Sequence, residues 1–435
     1  MTTTKNNEHK KLNFSSEREQ SQACLNSAEH EKNQGRKVLN VPNLRFPEFQ
    51  GEWTTSLLSD YLTENKERNK KGEFDKTDVL SVSGDYGIVN QIELLGRSFA
   101  GASVLPYHVV RHGNIVYTKS PLKEYPYGIV KANTGVDGIV STLYAVYNIK
   151  NNVDAQFIEY YFSSANRTNR YFKPIVRIGA KHDMKIGNQE VLANKVTFPN
   201  LEEQTKIASL FRFLDERIAT QNKIIEDLKM LKSAIIENVF DDKHSERLQL
   251  DNVGSYIRGL TYSSNDVVEH GGTLVMRSNN IVNGSLLDYN NNVVFVNKQM
   301  SAEQQLQNGD IVICMANGSS SLVGKSSFYD GNCHSPITVG AFCGIYRSKE
   351  PIVKWLFQTN KYRRYIWNSL QGGNGAIANL NGEDILNMSF SIPNAPIKDT
   401  CVKMLTSVDS ALGNNMSLCA LYTLQKQHLL RQMFI

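Results

Sequence analysis

The stretch IGNQEVLANKVTFPN, from Ile186 to Asn200, reappears in outline 194 positions later as LNGEDILNMSFSIPN, from Leu380 to Asn394. Further upstream, FIEYYF at 157–162 matches IVKWLF at 352–357 with a slip of one residue. The register also continues downstream without a gap, through the pairs Pro199 and Pro393, Asp215 and Asp409, and Phe240 and Phe434. A self-similarity of this length indicates a tandem duplication, and the duplication organises the whole fold.

Each copy has two parts. The first contains short β-branched and aromatic runs, such as NIVYTK (Asn114–Lys119) and DIVICMA (Asp310–Ala316), separated by Gly and Asn turns, and this pattern predicts mixed strands and helices. The second is a long helix, because no proline interrupts the run from Pro199 to Phe240, or the run that follows Pro396 to Ile435. The sequence therefore predicts the α+β class.

Apolar residues recur along both helices at heptad-like spacing, which is typical of a coiled-coil seam. The predicted helix–helix packing residues are Ile207, Phe211, Leu214, Ile218, Leu405, Val408 and Leu412. Gln221 and Lys232 interrupt the first stripe, and Asn415 and Lys426 interrupt the second at the matching steps. These polar residues either fix the register of the two helices or lie at a solvated edge, and both interpretations stay open.

The lengths of the helices suit a two-part DNA site. A helix of roughly 37 residues is about 55 Å long, which exceeds one turn of duplex DNA. Two copies with antiparallel helices would carry their mixed domains at opposite ends, related by a pseudo-twofold axis.

The composition fits an ordinary globular protein. A chain of 435 residues exceeds the roughly 250 to 300 residues at which one hydrophobic core stops growing, so two domains are expected. The residues are 40% hydrophobic and 21% charged, without a long apolar run or a secretory leader pattern, so we expect a soluble cytoplasmic protein. The six cysteines form no C-x-x-C pair and are interpreted as reduced thiols. A net charge of +5 permits nucleic-acid binding without requiring it.

Signatures of catalysis are weak throughout. The segment GSSSLVGKS (318–326) has five residues between its glycines, where a phosphate-binding P-loop has four. No Pro-Pro pair is present for an adenine-methyltransferase motif. His108 and His112 have H-x-x-x-H spacing in a β-branched context that does not favour a metal site, so no metal is expected. The trio Asp60, Glu64 and Lys66 is interpreted as a chance match to a nuclease site.

Two segments resemble the specificity subunits of type I restriction-modification enzymes. NVPNLRFPEFQGEW (Asn40–Trp53) resembles the start of these subunits, and FPNLEEQTKIASLFRFLDERI (Phe198–Ile218) resembles their central helix. The resemblance covers residues 40 to 435. The second copy departs from the pattern, since Ile397 and Lys398 stand where the first copy has Glu203 and Gln204, so the contact at the start of its helix is expected to differ.

The resemblance implies two pseudo-symmetric mixed α/β target-recognition domains, separated by two long antiparallel helices that form a coiled coil. The expected division of the chain is a polar extension (1–39), target-recognition domain 1 (40–198), a central spacer helix (199–242), target-recognition domain 2 (243–392) and a C-terminal spacer helix (393–435). The extension is expected to be disordered or loosely docked, because it is polar and poor in aromatic residues.

The resemblance also implies that DNA recognition and catalysis are carried out by different subunits. The chain would read a bipartite asymmetric double-stranded DNA sequence, without a cofactor or catalytic residue of its own. Two modification subunits that bind S-adenosylmethionine would methylate adenine, and two motor-nuclease subunits would use ATP and Mg²⁺. A self-contained methyltransferase-nuclease and a coiled-coil adaptor that binds only proteins are the rival interpretations. Methyl transfer by the pure chain, or DNA binding with a steep salt dependence, would distinguish these rivals.

The candidate DNA-contacting residues are basic and amide side chains in glycine-containing and tyrosine-containing loops. In the first copy they are Lys119, Lys123, Tyr125, Lys131, Arg177, Lys181 and Lys185. In the second copy they are Arg277, Asn279, Asn280, Asn317, Lys325 and Gly373. Gly179 and Gly373 coincide under the shift of 194 positions, which indicates a loop at the same place in both domains.

Overall fold

A computed structural model describes residues 39–122, 125–178, 184–240, 246–370 and 378–435. The chain forms two compact units. Unit 1 consists of the chain up to Glu216 together with Thr423–Ile435, and unit 2 consists of Arg217–Tyr422. The predicted N-terminal extension lies outside the described residues, except for Leu39.

The elements up to the first long helix are short, apart from that helix itself. The strands are β1 (Thr54–Leu57), β2 (Leu62–Glu64), β3 (Leu80–Ser83), β4 (Gly87–Asn90), β5 (His108–Val110), β6 (Ile115–Tyr117), β7 (Val130–Ala132), β8 (Gly138–Val140), β9 (Ala145–Ile149), β10 (Arg177–Ile178), β11 (Met184–Lys185) and β12 (Lys195–Phe198). The helices are α1 (Gln91–Leu95), α2 (Ala155–Phe162), α3 (Ala165–Phe172), α4 (Asn188–Leu192) and α5 (Leu201–Val239).

The remaining elements repeat this plan. The strands are β13 (Glu246–Gln249), β14 (Gly254–Arg258), β15 (Val267–Val268), β16 (Thr273–Met276), β17 (Val294–Val296), β18 (Ile311–Cys314), β19 (Ala316–Asn317), β20 (Ser326–Phe328), β21 (Ile337–Val339), β22 (Cys343–Ser348), β23 (Ala378–Asn379) and β24 (Ser389–Ile392). The helices are α6 (Leu250–Val253), α7 (Val353–Leu356), α8 (Asn360–Leu370), α9 (Gly382–Leu386) and α10 (Ala395–Gln432).

The sheet topology repeats the tandem duplication. Unit 1 has a four-stranded sheet in the order β2-β9-β6-β7, and unit 2 has one in the order β14-β22-β18-β20. Neighbouring strands in both sheets are antiparallel. In addition, β1 pairs with β12 and β13 pairs with β24, antiparallel in both units. The predicted α+β class with two mixed α/β copies is confirmed.

The two copies differ in the strands outside these shared ladders. Unit 1 has the two-stranded pairs β3-β4 and β5-β8, whereas unit 2 has a four-stranded sheet in the order β15-β17-β16-β21. Within that sheet β16 and β21 are parallel. Strand β11 pairs with β10, whereas β23, which follows α8, pairs with β19. The repeat therefore fixes a common framework, and each copy builds its own additional surface on it.

Aromatic side chains fill the core of unit 1 where the domain meets the helices. Phe157 packs edge-on against Phe198 with their ring centroids 5.1 Å apart, and Phe434 lies 5.3 Å from Phe157 and 5.8 Å from Phe211. These four residues are at most 4% exposed. Burial of this apolar area stabilises the junction, at about 25 cal/mol per Å².

The predicted packing residues line the helices in both units. Ile207, Phe211 and Leu214 are buried in the core of unit 1, and Leu405 is buried in the core of unit 2. Leu412 is also buried. Ile218 and Val408 are only half-buried.

Paired residues show that α5 and α10 run antiparallel. In unit 1 Asp215 forms an ion pair with Lys426. In unit 2 Gln221 donates a hydrogen bond to Asn415, and Lys232 pairs with Asp409 at 2.7 Å. Residue numbers along α10 fall as those along α5 rise, which is the pattern of antiparallel partners. The polar residues that interrupt the two apolar stripes therefore pair with residues of the opposite helix, which is the first of the two interpretations left open by the sequence.

One helix boundary differs from the prediction. The second long helix was expected after Pro396, but α10 begins at Ala395 and includes Pro396 in its first turn. Proline is tolerated there because the first N–H groups of a helix have no intrahelical acceptor. The helix therefore begins slightly before the uninterrupted run that follows Pro396.

Candidate nucleic-acid interface

Three of the candidate residues in unit 1 are engaged by neighbouring side chains or backbone. Lys119 follows β6 with a positive φ of 44°, and its Nζ donates to Asn188 Oδ1. Burial lowers the pKa of Lys119. The Nζ of Lys131 lies 3.0 Å from Glu159 Oε1, and Tyr125 donates its hydroxyl to Ser163 O at 2.5 Å. These partners hold the three side chains to the domain and reduce what they can offer to DNA.

Two other candidates in unit 1 are directed to solvent by a short hairpin. Arg177 on β10 is opposite Lys185 on β11, and both are exposed. Within the described residues neither has a carboxylate at ion-pair distance. Two like charges facing each other across a ladder repel, so their placement favours an anionic ligand between or above them.

Three candidates lie outside the described residues. They are Lys123, Lys181 and Gly373. Gly179, which was paired with Gly373 in the sequence comparison, also lies there. The loops that contain them therefore stay predictions.

Unit 2 places its candidates at the edge of the sheet that contains β16 and β21. Arg277 and Asn279 follow β16 and are exposed. Asn280 is 1% exposed, and its amide donates to Asp288 O and Asn291 O, while its Oδ1 accepts the backbone N–H of Arg277 at 2.9 Å. The side-chain amide and Oδ1 of Asn280 are thus engaged inside the loop, where they hold the backbone that carries Arg277.

Asn317 lies beside this edge. Its Nδ2 is 3.3 Å from Ser278 Oγ, and its Oδ1 accepts the N–H of Ser319 at 2.9 Å. The structure thereby brings Asn317 together with the turn that follows Arg277. Lys325 lines a different groove, which it shares with Arg363 and with Trp367, whose side chain is 64% exposed.

Aromatic side chains lie beside Arg277 at positions that the sequence did not indicate. A groove of about 340 Å³ is lined by Tyr262, Arg277, Ser278, Gly340 and Phe342, among other residues. Phe342 is 67% exposed. In the segment GAFCGIY this phenylalanine has the same pattern as buried strand residues, so the sequence carries no signal for its exposure.

Residues that resembled catalytic groups are either hydrogen-bonded to their neighbours or buried. Asp60 accepts the N–H of Leu57 at 3.0 Å, and Glu64 accepts hydrogen bonds from Asn188 and Gln189, both at 2.7 Å. His108 is 2% exposed on β5, and burial lowers its pKa to about 4. The described residues contain no cluster of three or more His, Cys, Asp or Glu side chains that could hold a metal ion.

The P-loop-like segment has its own local structure. A 3-10 turn at Ser320–Leu322 is followed by β20, which begins at Ser326. A P-loop instead leads from a strand into a helix. Among the helices that the structure describes, none is both long enough and apolar enough to span a membrane.

Two curated relatives share part of the sequence. The specificity subunit of the type I restriction enzyme EcoKI, from Escherichia coli strain K12, is 35% identical over 155 residues, which are 33% of this chain and 31% of the relative. The StySPI specificity subunit, from Salmonella potsdam, is 34% identical over 153 residues, with the same shares. The matches thus span about a third of the length of each relative. No protein-family model matches the chain.

A solved structure extends the likeness to nearly the whole fold. The S subunit of a type I restriction-modification system from M. genitalium superposes with a TM-score of 0.56 at 13% identity, and the match covers 91% of this chain and 99% of that chain. The chain has the fold of a type I specificity subunit. The resemblance indicated by the segments at Asn40–Trp53 and Phe198–Ile218 is confirmed.

Proposed function

We propose that the chain is the non-catalytic, sequence-reading subunit of a type I restriction-modification complex. Each copy of the mixed domain would read one half of a bipartite, asymmetric DNA sequence. The repeated strand order on two long antiparallel helices is the observation that carries this proposal, because a duplicated reader suits a two-part site.

The partners follow from the same proposal. Two modification subunits would bind S-adenosylmethionine and methylate adenine, and two motor-nuclease subunits would use ATP and Mg²⁺. In this scheme the target-recognition domains are 40–198 and 243–392, and the spacer helices are 199–242 and 393–435. Arg177, Lys185 and Arg277 support a role at the DNA surface. They are exposed, and no carboxylate in the described parts of the chain lies at ion-pair distance from them, so their charges can attract phosphates and base acceptors.

A domain exchange tests the proposal. Residues 243–392 are replaced by the matching region of a relative, the chimera is assembled with its modification subunits, and the methylated motif is mapped by sequencing. We expect one half of the motif to change while the other half and the spacer stay the same. A change in both halves, or methyl transfer by the pure chain without partners, would contradict the proposal. The matched control is the wild-type chain assembled with the same partners.

A further inference from the structure

The edge of the sheet that contains β16 and β21 brings an arginine and an aromatic ring into one groove. The two strands are parallel, with Met276 opposite Val339, so the residues that follow them emerge at the same edge. Arg277 follows β16, and Gly340 follows β21 and donates its N–H to Met276 O at 2.8 Å. The carboxyl ends of parallel strands are a frequent location of binding sites, because the loops that follow them converge.

The backbone at both sides of the groove is fixed. The N–H of Arg277 is capped by the buried amide of Asn280, as described above. On the other side, Phe342 O accepts the N–H groups of Met315 and Ala316 at 2.9 and 3.1 Å. Phe342 therefore keeps its ring in solvent on a backbone that is held in place, which is a preorganised arrangement for binding.

The charge of Arg277 is not neutralised. Its Nη2 donates only to a neutral carbonyl, Asn292 O, at 3.3 Å. By contrast, the guanidinium of Arg347 contacts both carboxylate oxygens of Asp310, at 2.8 and 2.6 Å. In the part of unit 2 that the structure describes, no carboxylate lies at ion-pair distance from Arg277. A full positive charge therefore lies beside an exposed aromatic ring.

We propose that this groove reads a thymine–guanine step in the half-site of unit 2, with Arg277 contacting the guanine and Phe342 contacting the thymine. The inference rests on the proposed function and names the bases that this site takes. A guanidinium presents parallel N–H donors that match O6 and N7 of guanine in the major groove, and a phenylalanine edge matches the C5 methyl of thymine. Ser278, held by Asn317, positions the turn that carries Arg277.

A phosphate contact is the competing explanation for an exposed arginine. A phosphate contact and a base contact need different surroundings. A phosphate requires donors and positive charge but no apolar wall. The exposed ring of Phe342 has a role in base reading and none in phosphate binding. The groove is also lined by Gly340, Ala341 and three serines, whose small side chains leave room for a base edge.

The test uses the full chain assembled with its modification subunits. The motif methylated by the wild-type complex is mapped first, and binding is then measured on duplexes in which each base pair of the motif is changed in turn. The variants are Arg277→Ala, Arg277→Lys and Phe342→Ala. Arg247→Ala is the matched control, because Arg247 is an exposed arginine of the same unit on β13, outside the groove.

The expected result is a loss of discrimination at defined positions. The wild-type complex should prefer guanine at one position of one half-site by about 10- to 100-fold. Arg277→Ala should abolish that preference. Arg277→Lys should weaken it, because an ammonium group can still donate to guanine but lacks the planar fork of a guanidinium. Phe342→Ala should abolish the preference for thymine at the neighbouring position. Discrimination in the other half-site should remain, which also reports that the variants are folded and assembled. Arg247→Ala should change no position.

Two outcomes would overturn the inference while leaving the proposed function intact. In the first, Arg277→Ala weakens binding to all duplexes evenly and lowers the salt dependence, which identifies a phosphate contact. In the second, all base preferences survive in the variants. A wild-type complex without any sequence preference would overturn the proposed function itself, and this result is visible before any variant is made.

Discussion

The two long helices begin in different surroundings although their sequences occupy equivalent places in the duplication. At the start of α5, Glu203 is buried, and its carboxylate contacts Arg45 through two hydrogen bonds of 2.7 Å. Trp53 donates its indole N–H to the same carboxylate at 3.3 Å. At the start of α10 the equivalent residue is Ile397, which is 52% exposed.

The difference shows that helix formation and the anchoring of the domain depend on different residues. Both helices form, with 39 residues in α5 and 38 in α10, so the buried carboxylate is not required to start a helix. Its contacts instead attach the segment that contains Arg45 and Trp53 to the first turn of α5. The Glu-Gln pair in the family-like segment therefore serves tertiary anchoring in unit 1. In unit 2 the equivalent residues are the exposed Ile397 and the half-buried Lys398, whose Nζ lies 3.3 Å from Glu350 Oε1.

The largest expected effect comes from removing this carboxylate. Glu203→Ala leaves Arg45 without its counter-charge and the buried Trp53 N–H without an acceptor, and breaking a buried pair on one side costs about 3 kcal/mol or more. Ile397→Ala should change the free energy of unfolding by less than about 0.5 kcal/mol, as exposed substitutions do. Urea unfolding of both variants measures the difference.

The conservative variant Glu203→Gln provides the control. It keeps one oxygen acceptor for Trp53 and Arg45 Nε, but it removes the charge and replaces the acceptor of Arg45 Nη2 by an amide NH2. Its loss should fall between those of the wild type and Glu203→Ala. Equal, small losses for Glu203→Ala and Ile397→Ala would contradict the anchoring role.

A second difference concerns buried histidine and predicts a pH dependence specific to unit 1. Burial lowers the pKa of His108 to about 4, from an ordinary value of 6.5, whereas His270 and His334 in unit 2 are exposed. Between these two pH values the unfolded chain binds a proton that the folded chain does not. The contribution of His108 to the free energy of unfolding is therefore fully present above pH 6.5. It is lost as the pH falls towards 4, and the loss is roughly 3 kcal/mol.

The measurement is urea unfolding at pH 7 and pH 4.5 for the wild type and for His108→Leu. The loss of stability on acidification should be smaller in the variant, because the leucine does not titrate. His270→Leu is the matched control from unit 2 and should show the same pH dependence as the wild type. A pH dependence unchanged by His108→Leu would contradict the prediction.

A smaller effect is expected from two lysines that occupy the same step of the repeat. Lys232 has an 8% exposed side chain, pairs with Asp409, and donates to Gly284 O at 2.9 Å. Lys426 pairs with Asp215, but these side chains are 24% and 40% exposed. Each lysine also lies over an aromatic ring, at 5.3 Å from Trp355 for Lys232 and 5.5 Å from Tyr160 for Lys426.

We expect Lys232→Ala to lower the free energy of unfolding by about 2 kcal/mol, and Lys426→Ala by less than about 1 kcal/mol, because solvent screens the second pair. The loss at Lys232 is limited because Asp409 keeps Lys354, at 3.5 Å. Double-mutant cycles with Asp409→Ala and Asp215→Ala measure the two coupling energies. Equal coupling energies would show that burial does not make the Lys232–Asp409 pair stronger than the Lys426–Asp215 pair.

Features that depend on local periodicity were predictable. The run without proline and the apolar stripe predicted α5 to within one residue at its C-terminal end, where the helix stops at Val239. The polar steps at Gln221 and Lys232 were also visible, but their partners were not. An interruption of an apolar stripe indicates a polar position without indicating whether its side chain meets another helix or water.

The candidate site was predictable only in part, for a related reason. Arg277 and Asn280 belong to one loop and looked equally suited to DNA, yet Asn280 is buried and caps the backbone of Arg277. An asparagine that caps a turn and one that contacts a base have the same sequence signal, since both follow a strand and precede a polar loop. The exposure of Phe342 was not predicted, because it depends on how β21 pairs with β16, a strand distant in the sequence.

The sequence by itself determined the duplication, the two long helices and the mixed domains, because these follow from periodicity and composition along the chain. The tertiary structure alone decided which of the equivalent positions became buried anchors and which became exposed surface, as at Glu203 and Ile397. It also decided that Arg277 and Phe342, 65 positions apart in the sequence, share one groove. The physical reason is that burial and hydrogen-bond satisfaction depend on residues distant in the chain, as in the pairing of Met276 on β16 with Val339 on β21.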